Sequence, residues 1–457
     1  MLILFVILYF AVTLAIGFYA NAHITGGRDF INAGRNLHPV VNAFALFALW
    51  FGSETLFGAS AEFAESGLAG IIEDPLGAIL CLLLVGLIFA RRMYRLNFLT
   101  LGDLFRHSYG PKIEMIASIL MTLSFVGYIA AQLLALGMML QMLLGWSLPL
   151  CMLMALGIVL LYTTSGGMLA VSLTDFFQSV MIIIGITIIA VYLTPHNMDA
   201  KQIVASLPDS HLQFWPENHI TSWLNWLAAW MALGIGSIVS QDVFQRVNAA
   251  RNENAARSSS LAGAGLYALF SILPIYIVWM INLQHPHINT HLQMSLPRLV
   301  MEQMPLGLQI LFFGSVVSAI LSTCSGAILA PASLLAENII KPLWPQKLSD
   351  SKLLLVTRLS TITMGLLALW VALGSEKIFD LVGTSSAFGV VSIFVPYTMA
   401  LFRKSNDKAA ALTSMLTGSA IWALCYFILH TQVNATIYGL AASCLGWWAG
   451  KYHRIFK

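Results

Sequence analysis

The sequence predicts an all-α integral membrane protein with thirteen transmembrane helices, and three observations carry that prediction. Of its 457 residues 58% are hydrophobic and 9% are charged, a balance that no soluble core requires. Thirteen mostly apolar stretches reach the ~20 residues that cross a bilayer as helix. Lys and Arg gather on one side of those stretches.

The stretches begin near Leu2, Val40, Pro75, Ile113, Leu148, Asp175, Trp223, Ser259, Gly307, Leu354, Phe379, Ala409 and Val433. The first has no basic leader and no small-residue cleavage site, which predicts a retained span. The second is interrupted: Ala48-Leu49-Trp50-Phe51-Gly52-Ser53-Glu54-Thr55 puts glycine, serine and a carboxylate at membrane depth. The seventh is interrupted likewise, at Ala232-Leu233-Gly234-Ile235-Gly236-Ser237. If helices two to six and seven to eleven are two five-helix repeats, these are the first helices of each, and the odd repeat length inverts one against the other. Broken helices in matching places mark a midplane binding site, although glycines also let helices pack closely. The longest loops, 194–221 and 284–305, are too short for a soluble domain, and Pro297–Met304 in the second predicts a short interfacial helix.

An odd number of spans puts the termini on opposite sides. With the N-terminus outside, all Lys and Arg except Lys201, Arg298 and Lys377 fall in inner loops or at inner helix ends. The prediction is a multi-pass protein of a cell membrane, plasma or inner, with a cytoplasmic C-terminus. The net charge of +3 is then a topology signal and not the footprint of a nucleic-acid partner. The five cysteines lie in apolar stretches without metal-ligand spacing and read as packing residues. Without a metal triad, a nucleophile–base pair or a phosphate loop, the chain does not read as an enzyme, and no cofactor is expected.

The ninth stretch holds four hydroxyls, Ser318, Ser322, Thr323 and Ser325. In lipid they must bond back to their own helix, join a neighbour, or face a polar cavity or an ion. Glu54 is the most unusual charge, because an acid at the bilayer centre costs about 2.5–3.5 kcal/mol on insertion scales. It must face a cavity or a partner, or be protonated. Asp175 opens the sixth helix, where an acid also suits a helix N-terminus. Trp50 precedes the second-helix break, and Tyr128 with Gln132 forms an i,i+4 pair on the fourth helix. Their rings can hold an ammonium by cation–π contact or simply pack.

Several motifs, in order along the chain, resemble the sodium:solute symporter family, which includes sodium/proline, sodium/sugar and high-affinity choline transporters. They are Gly27-Arg28-Asp29-Phe30 through Ala33-Gly34-Arg35; Thr164-Ser165-Gly166-Gly167 through Thr174-Asp175-Phe176-Phe177-Gln178; Gln241 with Phe244-Gln245-Arg246; and Ser318 to Ser325. The resemblance implies a LeuT-type five-plus-five inverted repeat: a peripheral helix at 1–21, repeats at 40–194 and 223–402, and two further helices at 409–450. It implies a sodium site formed by Ser322 and Thr323 with the backbone carbonyls of Ala319, Ala48 and Phe51. It places Asp175 on the inner exit route of sodium, and Glu73 and Asp74 near the outer mouth of the solute site.

The predicted solute site accordingly comprises Trp50, Glu54, Thr55, Glu73, Asp74, Tyr128, Gln132, Ser237 and Ser325. Trp50-Phe51-Gly52 and Pro75-Leu76-Gly77 are most similar to the choline-transporter branch. Where that branch has an aromatic before Gln241 this chain has Ser240, and where it has an acid in helix nine this chain has Ser325. The expected function is sodium-coupled import of a small organic solute, an amino acid or amine, by alternating access. The alternatives are a proton-coupled symporter and a solute-binding membrane sensor acting through a partner.

Overall fold

The computed structural model describes residues 8, 11, 12, 15 and 27–455, except 196–198, 286–291 and 345–347, without side-chain detail at 27–29, 162, 165, 166, 200 and 453–455. The predicted first span lies almost wholly outside the described residues. The rest is helical, and the backbone pairing between Leu37 and Ala250 is an isolated bridge. We label the helices that position the site α1 (Pro39–Phe47), α2 (54–66), α3 (Ile72–Leu96), α4 (Leu101–Tyr109) and α5 (Pro111–Leu144). They continue as α6 (148–166), α7 (Gly167–Leu193), α8 (Ile220–Val239), α9 (Gln241–Ala249) and α10 (Glu253–Gln284). The last are α11 (Ser295–Gln303), α12 (Leu306–Leu343), α13 (Asp350–Ala372), α14 (Ile378–Arg403), α15 (Lys408–Leu429) and α16 (Ala435–Ile455).

Among the described residues nine of these helices are long and apolar enough to cross a membrane: α3, α5, α7, α8, α10, α12, α13, α14 and α15. They coincide with predicted spans three, four and six to twelve. The second span is split into α1 and α2, the fifth is a shorter apolar helix, and the thirteenth is α16.

Local chemistry explains the boundaries. Proline occupies the first turn of α1 and α5, where its missing N–H costs nothing. Asn252, Ser349 and Asp407 cap α10, α13 and α15 by accepting a backbone N–H with the side chain. Thr100 and Asp103 form a capping box at the start of α4. The predicted helix at Pro297–Met304 is α11.

One boundary corrects the sequence reading. Asp175 does not open the sixth helix; that helix starts at Gly167, whose φ of 53° and ψ of −156° break the run from α6 into α7. Asp175 therefore lies two turns inside α7 and is fully buried, so the helix-cap reading fails. Side-chain oxygens gain more from a protein partner than from a helix dipole at that depth.

The layering follows burial. α12 lies at the centre, largely buried and packed on α7 and α5, whereas α15 is mostly exposed and pairs with α16 at the periphery. Lipid supplies no hydrophobic drive between those two helices, so hydroxyls join them: Thr413 to Gly446 O at 2.6 Å, Thr417 to Ala442 O at 2.9 Å, and Ser414 with Ser443 at 2.9 Å.

The break at Gly167 is testable. A Cβ there would meet the Phe30 carbonyl at 2.6 Å, and its backbone conformation is close to glycine-only. Gly145, with φ of 70° at the end of α5, has nothing within 4 Å of a Cβ. Gly167→Ala should cost about 1–3 kcal/mol from the backbone alone plus the clash, and Gly145→Ala about 1 kcal/mol. Thermal melts of both variants in detergent should rank in that order.

Candidate functional site

The site grows from two helix breaks. α1 ends at Phe47, residues 48–52 form tight turns, and the helix resumes from Ser53 into α2; α8 ends in the turn Ser237–Val239, Ser240 is extended, and α9 begins at Gln241. Each break frees carbonyls that lipid cannot satisfy.

α12 answers the first break. Thr323 Oγ1 stands 2.9 Å from Ala48 O and 3.0 Å from Ala319 O, so one hydroxyl bridges the turn after α1 and its own helix. Three of the five predicted sodium ligands thus meet directly. Phe51 belongs to the same turn, buried and stacked on Phe47 at 4.5 Å. Gly52 is required beside it, because a Cβ there would stand 2.8 Å from Thr323 Oγ1.

Ser322 faces the other way and donates to Asp175 Oδ1. Asp175 Oδ2 pairs with Arg246 Nη2 at 3.1 Å, and Arg246 Nε donates to Ala45 O at 2.9 Å. Asp175 and Arg246 are 0% and 1% exposed, so this pair joins α7, α9, α12 and α1 inside the protein. The local donor set is therefore two hydroxyls and at least two carbonyls, all neutral oxygens, with one carboxylate whose charge Arg246 already balances. Such hard, weakly charged oxygens suit an alkali cation that must also leave.

Two further carboxylates flank the first break. Glu54 accepts from Gln132 Nε2 at 2.8 Å and from Tyr128 OH at 3.2 Å; Tyr128 OH also contacts Leu49 O, and Ser53 N donates to Gln132 Oε1 at 3.3 Å. Asp74 accepts from Thr55 Oγ1 at 2.9 Å and Tyr267 OH at 2.7 Å, and those two hydroxyls also touch each other. Both acids are buried, and neither makes an ion pair among the described residues.

A cavity of about 40 Å³ lies between the breaks, walled by Trp50 and Tyr128 on one side, by Ser237, Ser240 and Asp242 on another, and by Ser385 of α14. A second cavity of about 1010 Å³ is lined by Glu62, Glu65, Glu302 and Glu376 with Arg298 and Lys377. Of the predicted solute residues, Trp50, Tyr128 and Ser237 line the small cavity. Glu54, Thr55, Asp74 and Gln132 form the hydrogen-bonded layer around the first break. Glu73 lies apart, half-buried against Gly383 of α14 with Oε1 unpartnered among the described residues. Ser325 is bonded back to Ser322 O at 2.8 Å, and Ser318 has no partner among the described residues.

Sequence reading missed three residues. Arg246 was counted among the inner-end cations, but it is buried as the partner of Asp175. Tyr267, in a run of small residues on α10, holds Asp74. Asp242 lines the small cavity. Its signal was available: each interrupted helix resumes with an acid, Glu54 after Gly52-Ser53 and Asp242 after Ser240-Gln241.

Comparison with known proteins gives the family and the fold. The sodium:solute symporter family model matches residues 30–418. The high-affinity choline transporter 1 of Caenorhabditis elegans is 25% identical over 84% of this chain and 69% of its own. The osmoregulated proline transporter of Bacillus subtilis is 24% identical over 96% of this chain and 92% of its own. A Na+-coupled sialic acid symporter, solved substrate-bound in an outward-open state, superposes with a TM-score of 0.81 at 19% identity, covering 98% and 96% of the two chains. That neighbour is a LeuT-fold transporter, and the likeness extends to the fold.

The buried ion pair predicts non-additive energetics. Arg246→Met leaves the Asp175 charge buried without a partner and should cost about 3–5 kcal/mol. Asp175→Asn with Arg246→Met should cost less than the two single changes summed, by about 1–3 kcal/mol. A double-mutant cycle on thermal or denaturant unfolding measures the coupling.

Proposed function

We propose that this chain, which belongs to the sodium:solute symporter family, couples the inward movement of sodium to that of a small organic solute, an amino acid or amine, by alternating access. Members and relatives are transporters and not enzymes, and the chain is a multi-pass membrane protein. The observation that carries the coupling reading is the hydroxyl of Thr323 set between Ala48 O and Ala319 O across the first break. Sodium would take those oxygens with Ser322 and the carbonyl of Phe51, and would leave inward past Asp175. The solute would sit in the small cavity between Trp50, Tyr128 and Ser237, with Glu54, Thr55, Asp74 and Gln132 shaping its wall and Glu73 and Ser325 more distant. The proposed frame is repeats 40–194 and 223–402, the helix of 1–21 before them and 409–450 after, the N-terminus outside and sodium as coupling ion without a cofactor.

The driving force is adequate. One charge crossing 100 mV yields about 2.3 kcal/mol and a tenfold sodium gradient about 1.4 kcal/mol. Together they support about 500-fold accumulation of a neutral or zwitterionic solute per sodium.

A second reading rests on Glu54 and Asp74, two buried acids held only by neutral donors, which suit proton coupling. Uptake into proteoliposomes separates the two. Replacing external sodium by potassium at a fixed pH gradient should abolish uptake; undiminished uptake sinks sodium coupling. Ser322→Ala and Thr323→Ala should each raise the sodium concentration for half-maximal uptake about tenfold, the worth of one lost oxygen ligand. Unchanged sodium dependence with a lowered melting temperature would make the hydroxyls structural.

A further inference from the structure

We propose that α4 is the latch of the site at the end where α9 resumes, and that Asn338 is the positioning residue that sets it. The inference rests on the alternating-access reading, in which that end of the site must open and close.

α4 is a nine-residue helix that links spans α3 and α5 at the end predicted to face inward. Its two ends are hydrogen-bonded to the walls of the site. The Leu101 N–H donates at 2.7 Å to Oε1 of Gln241, the first residue of α9 after the second break. The Tyr109 hydroxyl donates at 2.7 Å to Pro396 O of α14, a helix that also walls the small cavity. Asn338 of α12 is 1% exposed and spends its whole amide on the same junction. Nδ2 donates to Asp103 Oδ1 at 3.1 Å and to Glu114 Oε1 of α5 at 2.8 Å, and Oδ1 accepts the Thr100 hydroxyl at 2.6 Å. α4 is thus tied to both breaks: to the second through Gln241, and to the first through α12, whose Thr323 bridges it.

Only a neutral amide fits between these groups, because it offers two N–H to two carboxylates and an acceptor to a hydroxyl. Aspartate would add a third acid. An apolar side chain would leave the buried Glu114 with Arg106, at 3.7 Å, as its remaining partner among the described residues.

The junction is built to release. Its bonds are polar and lie at an end predicted to face water, so water can replace them when α4 moves. Gly102 lets α4 approach Asn338 without interlocking, since a Cβ there would stand 2.5 Å from Asn338 Cγ. Positive φ at Asn97 (53°) and Gly110 (90°) turns the chain sharply on either side of α4, which sets it off as a short body between two long spans. α12 widens into a π-helical turn over Leu335–Ile340, around Asn338, a feature frequent at functional sites. Release of Asn338 would loosen α4 from Gln241 and Pro396 together, uncovering α9 and freeing α14.

The experiment is hydrogen–deuterium exchange of the purified full-length chain in detergent, in potassium chloride without solute, followed at 99–109 and 241–249 with 408–429 of α15 as remote control. Asn338→Ala should speed exchange at the first two by about ten- to a hundredfold, the worth of buried bonds to charged acceptors, and leave the control unchanged. A second variant fastens the latch. The close approach at Gly102 puts cysteines at 102 and 338 within disulfide reach. Gly102→Cys with Asn338→Cys, made with Cys444→Ser because Cys444 is exposed, should crosslink on oxidation. Oxidation should then slow exchange at 241–249, and dithiothreitol should restore it. Three results overturn the inference: a pair that does not crosslink, crosslinked protein with unchanged exchange at 241–249, or Asn338→Ala that speeds the control as much as α9. If Asn338→Ala does not fold, the crosslinked pair decides alone. Neither arm uses sodium or solute, so the two readings fail separately. A working latch in a chain without sodium-dependent uptake counts against symport alone; sodium-dependent uptake with α9 indifferent to the crosslink counts against the latch alone.

Discussion

The architecture depends on one constraint: a backbone freed inside a membrane must be satisfied by protein. Breaking a helix at residues 48–52 liberates carbonyls that lipid cannot satisfy, and neighbouring hydroxyls meet them: Thr323 of α12 at Ala48 O, Tyr128 of α5 at Leu49 O and Thr55 at Trp50 O. Thr323 spans Ala48 O and Ala319 O, and Gly52 has no side chain because Thr323 must come that close. A hydroxyl is an economical answer. Its one proton is shared between two carbonyls when nothing else is present, and it leaves three oxygens close together, an arrangement a small hard cation can take over. The same contacts that make the break tolerable thus make it a proposed ion site.

Charge in the core is divided by the same logic. Asp175 has a permanent internal counter-ion, and the link through Arg246 to Ala45 O ties α7 and α12 to the end of α1. Glu54 and Asp74 make no ion pair among the described residues and are held by amide, phenol and hydroxyl donors. A carboxylate with a fixed cation can steer or release an ion without trapping it, because the net local charge is near zero. Carboxylates held by neutral donors retain an appetite for positive charge, whether from a proton, an ion or a solute. Both lie beside the first break.

Much of this was legible in the sequence. Apolar length and period placed spans three, four and six to twelve, since those features are set by the bilayer and not by tertiary detail. The interruption at Gly52 was visible because glycine and serine at membrane depth need a reason; the second break falls later than expected, at 237–240, because Gly234 and Gly236 pack closely while remaining helical. Ser322 and Thr323 stood out for the same cause. What escaped was pairing across the chain. Arg246 reads as an inner-loop cation because hydropathy sees its charge and not the acid 71 residues earlier. Tyr267 reads as packing until Asp74 is found 193 residues away. Asp175 reads as a helix start because its acid suits an N-terminus, whereas the backbone break is at Gly167, where the glycine conformation and the Phe30 carbonyl decide it.

The small cavity bears on how such a site could open. Its floor is built from close backbone approach: a Cβ on Gly236 of α8 would meet Ser386 O of α14, and one on Gly127 of α5 would meet Ser385 of the same helix. Contacts of that kind are close without being interlocked, since no side chain must leave a hole before the helices separate. The first break is held differently, by hydrogen bonds to α12 and by the Arg246–Ala45 contact. Among the described residues α14 makes hydrogen bonds to other neighbours, such as Tyr109 to Pro396 O at 2.7 Å, but none to α5 or α8, so separating it from those two helices would cost mainly dispersion energy, whereas separation at α12 would cost hydrogen bonds that only an ion or water could replace. On this geometry the solute side of the site can widen while the proposed sodium side stays assembled. An ion at Thr323 would then hold α1 to α12 while α14 moves, which gives the ion a differential interaction with the two states and so a means of biasing them.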